Sequence, residues 1–349
     1  KNNIINPYLG EKFSIAALTT EYELYCDLPL GAGAKKAKGI GYMFGAGGAV
    51  PGLEWRRREK RPTHMSKYPL EQVDRVDRPT TLIIDNEVPK VSKRAEFFER
   101  AARGDLGVKS QKERSRFAFK HPFAQSMVSL IKCMVPEQGG APYNKVEGYG
   151  NPATNSMAVK SLSYFLGCEM TGICEIPSYA WYSHNKDGSQ IEPYNKYAIV
   201  MLIDQGYETM EGASGDDYIS GSQSMRAYMR GAEISGIMAE LFRSLGYSSR
   251  SQTNADSDVL HVPLTLLAGL GELSRIGEVI LNPFIGPRLK TVVITTDLPL
   301  LPDRPMDFGL QDFCSNCLKC ARECPCDAIS LGDKVMFNGY EMWKPDVER

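Results

Sequence analysis

Cys314, Cys317, Cys320 and Cys324 stand in this 349-residue chain as C-x2-C-x2-C-x3-C, with Pro325 directly after the last. This is the spacing of bacterial-type iron–sulfur ligands, in which three thiolates wrap one cubane and the fourth reaches toward a second cluster. The chemistry implied is electron transfer. A zinc knuckle would use paired C-x2-C units set further apart, so the run is assigned to [4Fe–4S] iron. One such run implies another, and none follows before Arg349. The expectation is a C-terminally truncated chain, a fragment that completes neither cluster by itself. Of nine cysteines, five fall between 314 and 326, a concentration that metal explains better than disulfides. Cys326 reads as a spare thiol, and Cys26, Cys133, Cys168 and Cys174 as unassigned positions where a small hydrophobe is expected.

The bulk composition narrows the classes. With 42% apolar residues the chain can bury a sizeable core, and 41 basic against 42 acidic side chains create no global field for nucleic acid or an anionic membrane. The densest basic run, Trp55 to Arg61, reads as a solvated loop. No stretch approaches the roughly twenty apolar residues of a membrane helix, so a soluble or peripheral protein is expected. The chain opens on Lys1 without a signal-peptide pattern, which suggests a processed or incomplete start.

The elements that must position this chemistry come next. Residues 28–53 are Gly/Ala-rich loop and turn, and their glycines fit neither G-x-G-x-x-G nor G-x4-G-K-[ST]. Residues 54–120 are charged and broken by prolines, with one helix expected over Ser92–Arg103. From Ala153 the pattern turns to helices and short apolar strands, an α/β layering. A helix is expected near 155–166, and strands near 170–177, 197–203 and 292–296. The excursion 178–196 reads as an insertion. The strongest helix runs from about Ser224 to Leu245, with Met225, Met229, Ala232, Ile237, Met238, Leu241, Phe242 and Leu245 at helical spacing and Gly246 as its stop. Pro302 and Pro305 read as a linker into the cysteine segment.

Two segments carry a family resemblance. Gly269-Leu270-Gly271-Glu272-Leu273-Ser274-Arg275-Ile276-Gly277 with Asn282-Pro283-Phe284-Ile285-Gly286-Pro287, and Asp297 through Gly309, resemble the core of the respiratory reductive dehalogenases. The resemblance extends more weakly over about residues 150–330. It implies an α/β (α+β) architecture: an N-terminal unit (1–150), a nitroreductase-like cobamide-binding domain (151–308) and a ferredoxin-like domain (309–349). The last is cut before its second cysteine motif. The implied cofactors are a cobamide, with no protein histidine on cobalt, and two [4Fe–4S] clusters in the full-length protein. His64, His121, His184 and His261 are accordingly not assigned as ligands. The implied cofactor contacts are Gly269, Gly271, Ser274, Gly277, Gly286 and Pro287.

The resemblance also implies a tyrosine proton donor near the start of a long helix, the place that Tyr228 occupies. Its spacing from Met225 and Ala232 puts the phenol on the helix's apolar face, where an ordinary pKa of about 10 keeps it protonated. A core tyrosine satisfied by a carbonyl is the plain alternative. A basic residue accompanies the tyrosine in the family, here Lys290, with Arg288 as the alternative if the register shifts. An ammonium beside the phenol would favour the phenolate left after proton transfer. The resemblance also implies a pocket-lining role for Asn254, in a segment that otherwise reads as an ordinary turn.

The implied reaction is reductive removal of halogen from an organohalide, a chlorinated aliphatic being expected. The implied partners are a respiratory electron donor and a small membrane anchor protein, with no nucleic acid. The implied location is the outer face of the cytoplasmic membrane after twin-arginine export. The alternative is an epoxyqueuosine reductase-like enzyme that uses the same cofactors on tRNA.

Overall fold

The computed structural model describes residues 61–349 except 115, 117–120, 216 and 348. Cys26, the Gly/Ala-rich stretch 28–53 and the basic residues 56–60 lie outside the described residues. From Thr63 onward the chain makes one compact unit, and the boundaries expected at 150 and 308 both fall within it. Its strands are β1 (Asp74–Arg75), β2 (Met170–Glu175), β3 (Tyr197–Asp204), β4 (Ser249–Gln252), β5 (Glu272–Leu273), β6 (Ile280–Leu281), β7 (Leu289–Thr296), β8 (Met306–Asp307), β9 (Val335–Phe337) and β10 (Tyr340–Met342). The α-helices are α1 (Phe97–Arg103), α2 (Gly107–Glu113), α3 (Pro122–Cys133), α4 (Pro152–Phe165), α5 (Tyr207–Glu211), α6 (Asp217–Ser244), α7 (His261–Leu267), α8 (Leu310–Cys317) and α9 (Lys319–Arg322). Among the described residues no helix is long and apolar enough to cross a membrane.

The central sheet has the order β2-β3-β7-β4 and is antiparallel throughout. Helices cover both of its faces, which explains why β3 reads as an unbroken apolar run instead of an alternating one. Ile199, Met201 and Ile203 point to one face, where they meet Ala227, Ile234, Met238 and Phe242 of α6 and Val159 of α4. Ala198, Val200 and Leu202 point to the other, where they meet Leu264 of α7 and Trp181. Each fully buried Val, Leu, Ile, Met or Phe side chain among these contributes about 1.5–3 kcal/mol of transfer free energy. Gly172 in β2 lets Ala268, just past α7, lie directly on the sheet, because a Cβ there would meet the Ala268 carbonyl oxygen at 2.2 Å.

Four sequence expectations change. The long helix starts at Asp217, earlier than its apolar periodicity begins, because Ser222, Gln223 and Ser224 are buried although polar. Ile237 and Leu241 are exposed: Met238 and Phe242, one position on, take the sheet-facing stripe, and a 100° step turns the earlier pair outward. The segment at Pro302–Pro305 is no linker. Asp303 extends the edge of β2, its N–H donating to the Ile173 carbonyl at 2.8 Å and its Oδ2 accepting from the Ile173 N–H at 2.9 Å. The excursion 178–196 likewise joins the core, burying Tyr179, Ala180, Trp181 and Ile191.

The two faces of α6 predict opposite responses to truncation. Met238→Ala is expected to cost about 2–5 kcal/mol, and Ile237→Ala less than about 0.5 kcal/mol, measured by urea unfolding of each variant.

Candidate active site

A register difference in the sheet makes room for the site. β3 pairs with β7 along Leu289–Thr296, but β4 pairs only with Val293–Thr296 and then leaves the sheet at Thr253. The start of β7 therefore has no strand on its β4 side. A cavity of about 1020 Å³ lies there, lined by residues that include Tyr228, Asn254, His261 and Thr291. Its size is at the top of the range of ordinary ligand sites, about 300–1,000 Å³.

Tyr228 and Lys290 come together because α6 crosses β7 closely at one point. A Cβ on Gly231 would meet Val292 side-chain atoms at 3.2 and 3.3 Å. Tyr228 is three residues before Gly231, on the same helix stripe, and Lys290 is two before Val292, on the same strand face. The Lys290 ammonium consequently sits 5.0 Å from the centroid of the Tyr228 ring. Arg288 does not compete for this role, since its guanidinium pairs with Asp204 at 2.9 Å and lies over the Tyr207 ring. Lys290 has no carboxylate partner among the described residues, and its desolvation pushes its pKa below the ordinary lysine value.

Tyr228 packs with Met225 and Met229 against Ala124, Met127 and Val128 of α3. Burial, followed by the Glu96 carboxylate on the cavity wall, pushes its pKa up to about 12. The sequence-based expectation of an ordinary phenol near 10 is corrected accordingly. Loss of solvation and the carboxylate act in the same direction, so the phenol holds its proton more firmly than in water.

Asn254 lies on the cavity wall in the turn after β4, and its side chain makes no hydrogen bond among the described residues. His261, at the start of α7, was passed over in the sequence yet lines the same cavity. Its Nδ1 is 3.2 Å from Thr291 Oγ1 and its Nε2 is 3.2 Å from Ser257 Oγ. Burial pushes its pKa down to about 4, which keeps the ring neutral. Nothing in its sequence neighbours signals this, because the partners come from a turn and a strand brought together only by folding.

The glycine-rich motif has a packing role in the geometry. A Cβ on Gly269 would meet the Arg304 carbonyl oxygen at 2.1 Å, one on Gly271 the Leu281 carbonyl oxygen at 2.5 Å, and one on Gly277 the Trp343 carbonyl oxygen at 2.3 Å. The chain's own backbone thus excludes side chains at these positions. Of the six expected cofactor contacts, Gly277 alone lines the cavity. Ser274 Oγ accepts from the Ile276 N–H, while Gly286 has a left-handed φ of 58° with open space at its Cβ position and Pro287 is exposed.

The same motif anchors the cysteine segment. Glu272, fully buried between the layers, accepts from the N–H groups of Phe308 and Leu310 at the start of α8, where a carboxylate is favoured. Arg275 donates to the Cys314 carbonyl at 2.8 Å and stacks on Trp343. Cys314 and Cys317 lie on α8, Leu318 turns the chain with a left-handed φ of 54°, and Cys320 lies on α9. Burial holds the Cys314 thiol above the usual range. Cys324 is held below it by the backbone N–H groups of Cys326 and Ala328, and the Cys324 and Cys326 sulfurs are 3.7 Å apart. The donor types and their order suit an iron–sulfur cluster. Among the described residues, however, no three potential ligands are gathered closely enough to hold a metal.

The known proteins to which this chain is similar are reductive dehalogenases. A tetrachloroethene reductive dehalogenase of Desulfitobacterium hafniense is 37% identical over 165 residues, 44% of this chain and 29% of that protein. A solved reductive dehalogenase, described as suggesting a mechanism for B12-dependent dehalogenation, is 56% identical with a TM-score of 0.85 over 93% of this chain and 47% of that one. The catabolic reductive dehalogenase NpRdhA, solved with 3-bromo-4-hydroxybenzoic acid, is 58% identical with a TM-score of 0.83, over 88% and 45%. No family model matches the chain. The resemblance read from the sequence motifs therefore holds for most of this chain, which spans less than half the length of these relatives.

His261 makes stability depend on pH. Between about pH 6.5, its unfolded pKa, and about 4, its folded value, the unfolded chain binds a proton that the folded one refuses, so this contribution falls as pH is lowered. Urea unfolding from about pH 7 to 4.5 is expected to show a smaller loss of stability for His261→Gln than for the parent chain.

Proposed function

We propose that this chain forms the catalytic core of an oxidoreductase that removes halogen reductively, so that R–X, two electrons and one proton become R–H and X⁻. The observation that carries this reading is the half-buried phenol of Tyr228, facing the cavity with the Lys290 ammonium 5.0 Å from its ring centroid. A cobamide supplied with electrons by iron–sulfur clusters would contribute the two-electron reduction. The cavity volume and largely apolar walls suit a ligand of that kind, and Cys314, Cys317, Cys320 and Cys324 are the residues that would hold iron. Both ring nitrogens of His261 are already engaged, which agrees with a cobamide that takes no histidine from this wall.

The protein's own part is the proton. With a pKa near 12, the phenol does not ionise to water at neutral pH, yet it can give its Oη proton to the strongly basic carbon formed as the carbon–halogen bond breaks. The phenolate left behind is offset by the neighbouring ammonium. The same ammonium has no carboxylate partner among the described residues, which supports a role in attracting departing halide from behind the Tyr228 ring. Asn254 offers a donor and an acceptor from the opposite wall to orient the substrate.

The sequence-based expectation of a chlorinated aliphatic gives way to a halogenated aromatic acid or phenol in this proposal. The bromohydroxybenzoate complex belongs to a protein 58% identical to this one, whereas the tetrachloroethene enzyme is 37% identical over a shorter stretch. Export to the outer face of the cytoplasmic membrane, a small anchor protein and a respiratory donor remain proposals carried by the family resemblance.

Halide release under a strong reductant, measured with cobamide and iron content, tests the assignment on the full-length protein. Tyr228→Phe is expected to lose about 10²–10⁴-fold in turnover with cobamide content unchanged, and Lys290→Met to lose turnover in the same direction. Undiminished dehalogenation by Tyr228→Phe would sink the proton-donor role.

A further inference from the structure

The cavity has two facing walls that are joined by buried charge. One is the strap containing Val91, Lys93, Ala95 and Phe97; the other is the turn containing Thr253, Asn254 and Asp256. Lys93, only 6% exposed, reaches from the strap to Asp256 at 2.8 Å and Asp258 at 2.6 Å. Arg250 pairs with the same two carboxylates from β4. Two cations and two anions thus close a neutral cluster at the base of the turn.

The rest of the turn is braced from two further directions. Tyr194 donates to Asp258 Oδ2 at 2.7 Å, and Gln138 donates to Thr253 Oγ1 at 2.6 Å and to the Asp256 carbonyl at 3.1 Å. Asn254, inside this frame, is the member without a side-chain hydrogen bond among the described residues. Buried ions cost several kcal/mol each to desolvate, and a well-packed apolar pair is often as stable. Such a cluster is consequently a poor device for stability and a good one for holding a turn in one place.

We propose that Lys93 is a positioning residue: by bridging Asp256 and Asp258 it fixes the Asn254 turn against the 91–97 strap and so sets the width of the cavity at that point. Removing its charge leaves two carboxylates facing one guanidinium, and the turn moves away from the strap. Lys93 itself touches no reacting atom, and it acts through Asn254 and the wall that carries it.

Hydrogen exchange on the whole chain, comparing Lys93→Met with Lys93→Arg, reads the clamp without turnover. Exchange of the amides of 253–258 is expected to rise about tenfold or more in Lys93→Met, with β3 and β7 unchanged, and to return toward the parent rate in Lys93→Arg. Unchanged exchange in the turn, or a rise spread evenly over the sheet, would overturn the proposal. If Lys93→Met does not fold, the Lys93→Met/Asp258→Asn pair, which removes one charge of each sign, is expected to show the same localised rise, and its absence there counts equally against the clamp. The activity arm rests on the dehalogenase reading: KM for halide release rises in Lys93→Met while kcat is kept, and a fall in kcat at constant KM contradicts a positioning role. A clamp that holds in exchange without any halide release in the parent would sink the functional reading alone.

Discussion

The close approach of α6 to β7 at Gly231 is the constraint on which the candidate site depends. A side chain there would press on Val292, so the absence of one sets how near the helix axis lies to the strand. Tyr228 and Lys290 then follow from two periodicities, three residues along the helix and two along the strand. The same approach lets Ser235 of α6 bond Ser251 of β4 at 2.6 Å between buried hydroxyls, which ties the helix across the neighbouring strand as well. A phenol and an ammonium that are far apart in the chain are held in contact by packing that involves neither of them.

Space for a ligand arises from what the sheet leaves out. β4 is half as long as β7, and where it ends the turn 253–258 swings aside. Chemistry is placed at this step: a neutral imidazole on one side of β7, the phenol and ammonium on the other, and a braced turn across the gap. The surrounding charges are mostly spoken for, as Arg288 with Asp204 and Lys93 with two aspartates show. Lys290 lies beside a ring instead of a carboxylate and is desolvated there.

The glycine-rich motif that carried the family resemblance does its visible work inside the chain. Gly269, Gly271 and Gly277 admit backbone carbonyls at distances that no Cβ tolerates, and Glu272 and Arg275 hold the cysteine segment to the core. Motif similarity alone could not separate packing from ligand contact, because both demand a small residue at the same position. The expected glycine contacts and the observed packing are different consequences of one requirement.

The sequence by itself determined the apolar strands, the long helix, the cysteine run and the pairing of Tyr228 with Lys290 through a family pattern. These signals are local or periodic, and burial on both faces leaves a plain apolar run in β3. It could not show that Ile237 faces outward, that Pro302–Pro305 pairs with a strand edge, or that His261 is neutral. Nor could it show Lys93 closing a cavity with aspartates more than 160 residues away. Those facts depend on which long-range partner removes water from a side chain, and only the tertiary structure decides that: solvent exclusion moved the Tyr228 and His261 pKa values away from their ordinary ranges, and no neighbour in the sequence records it.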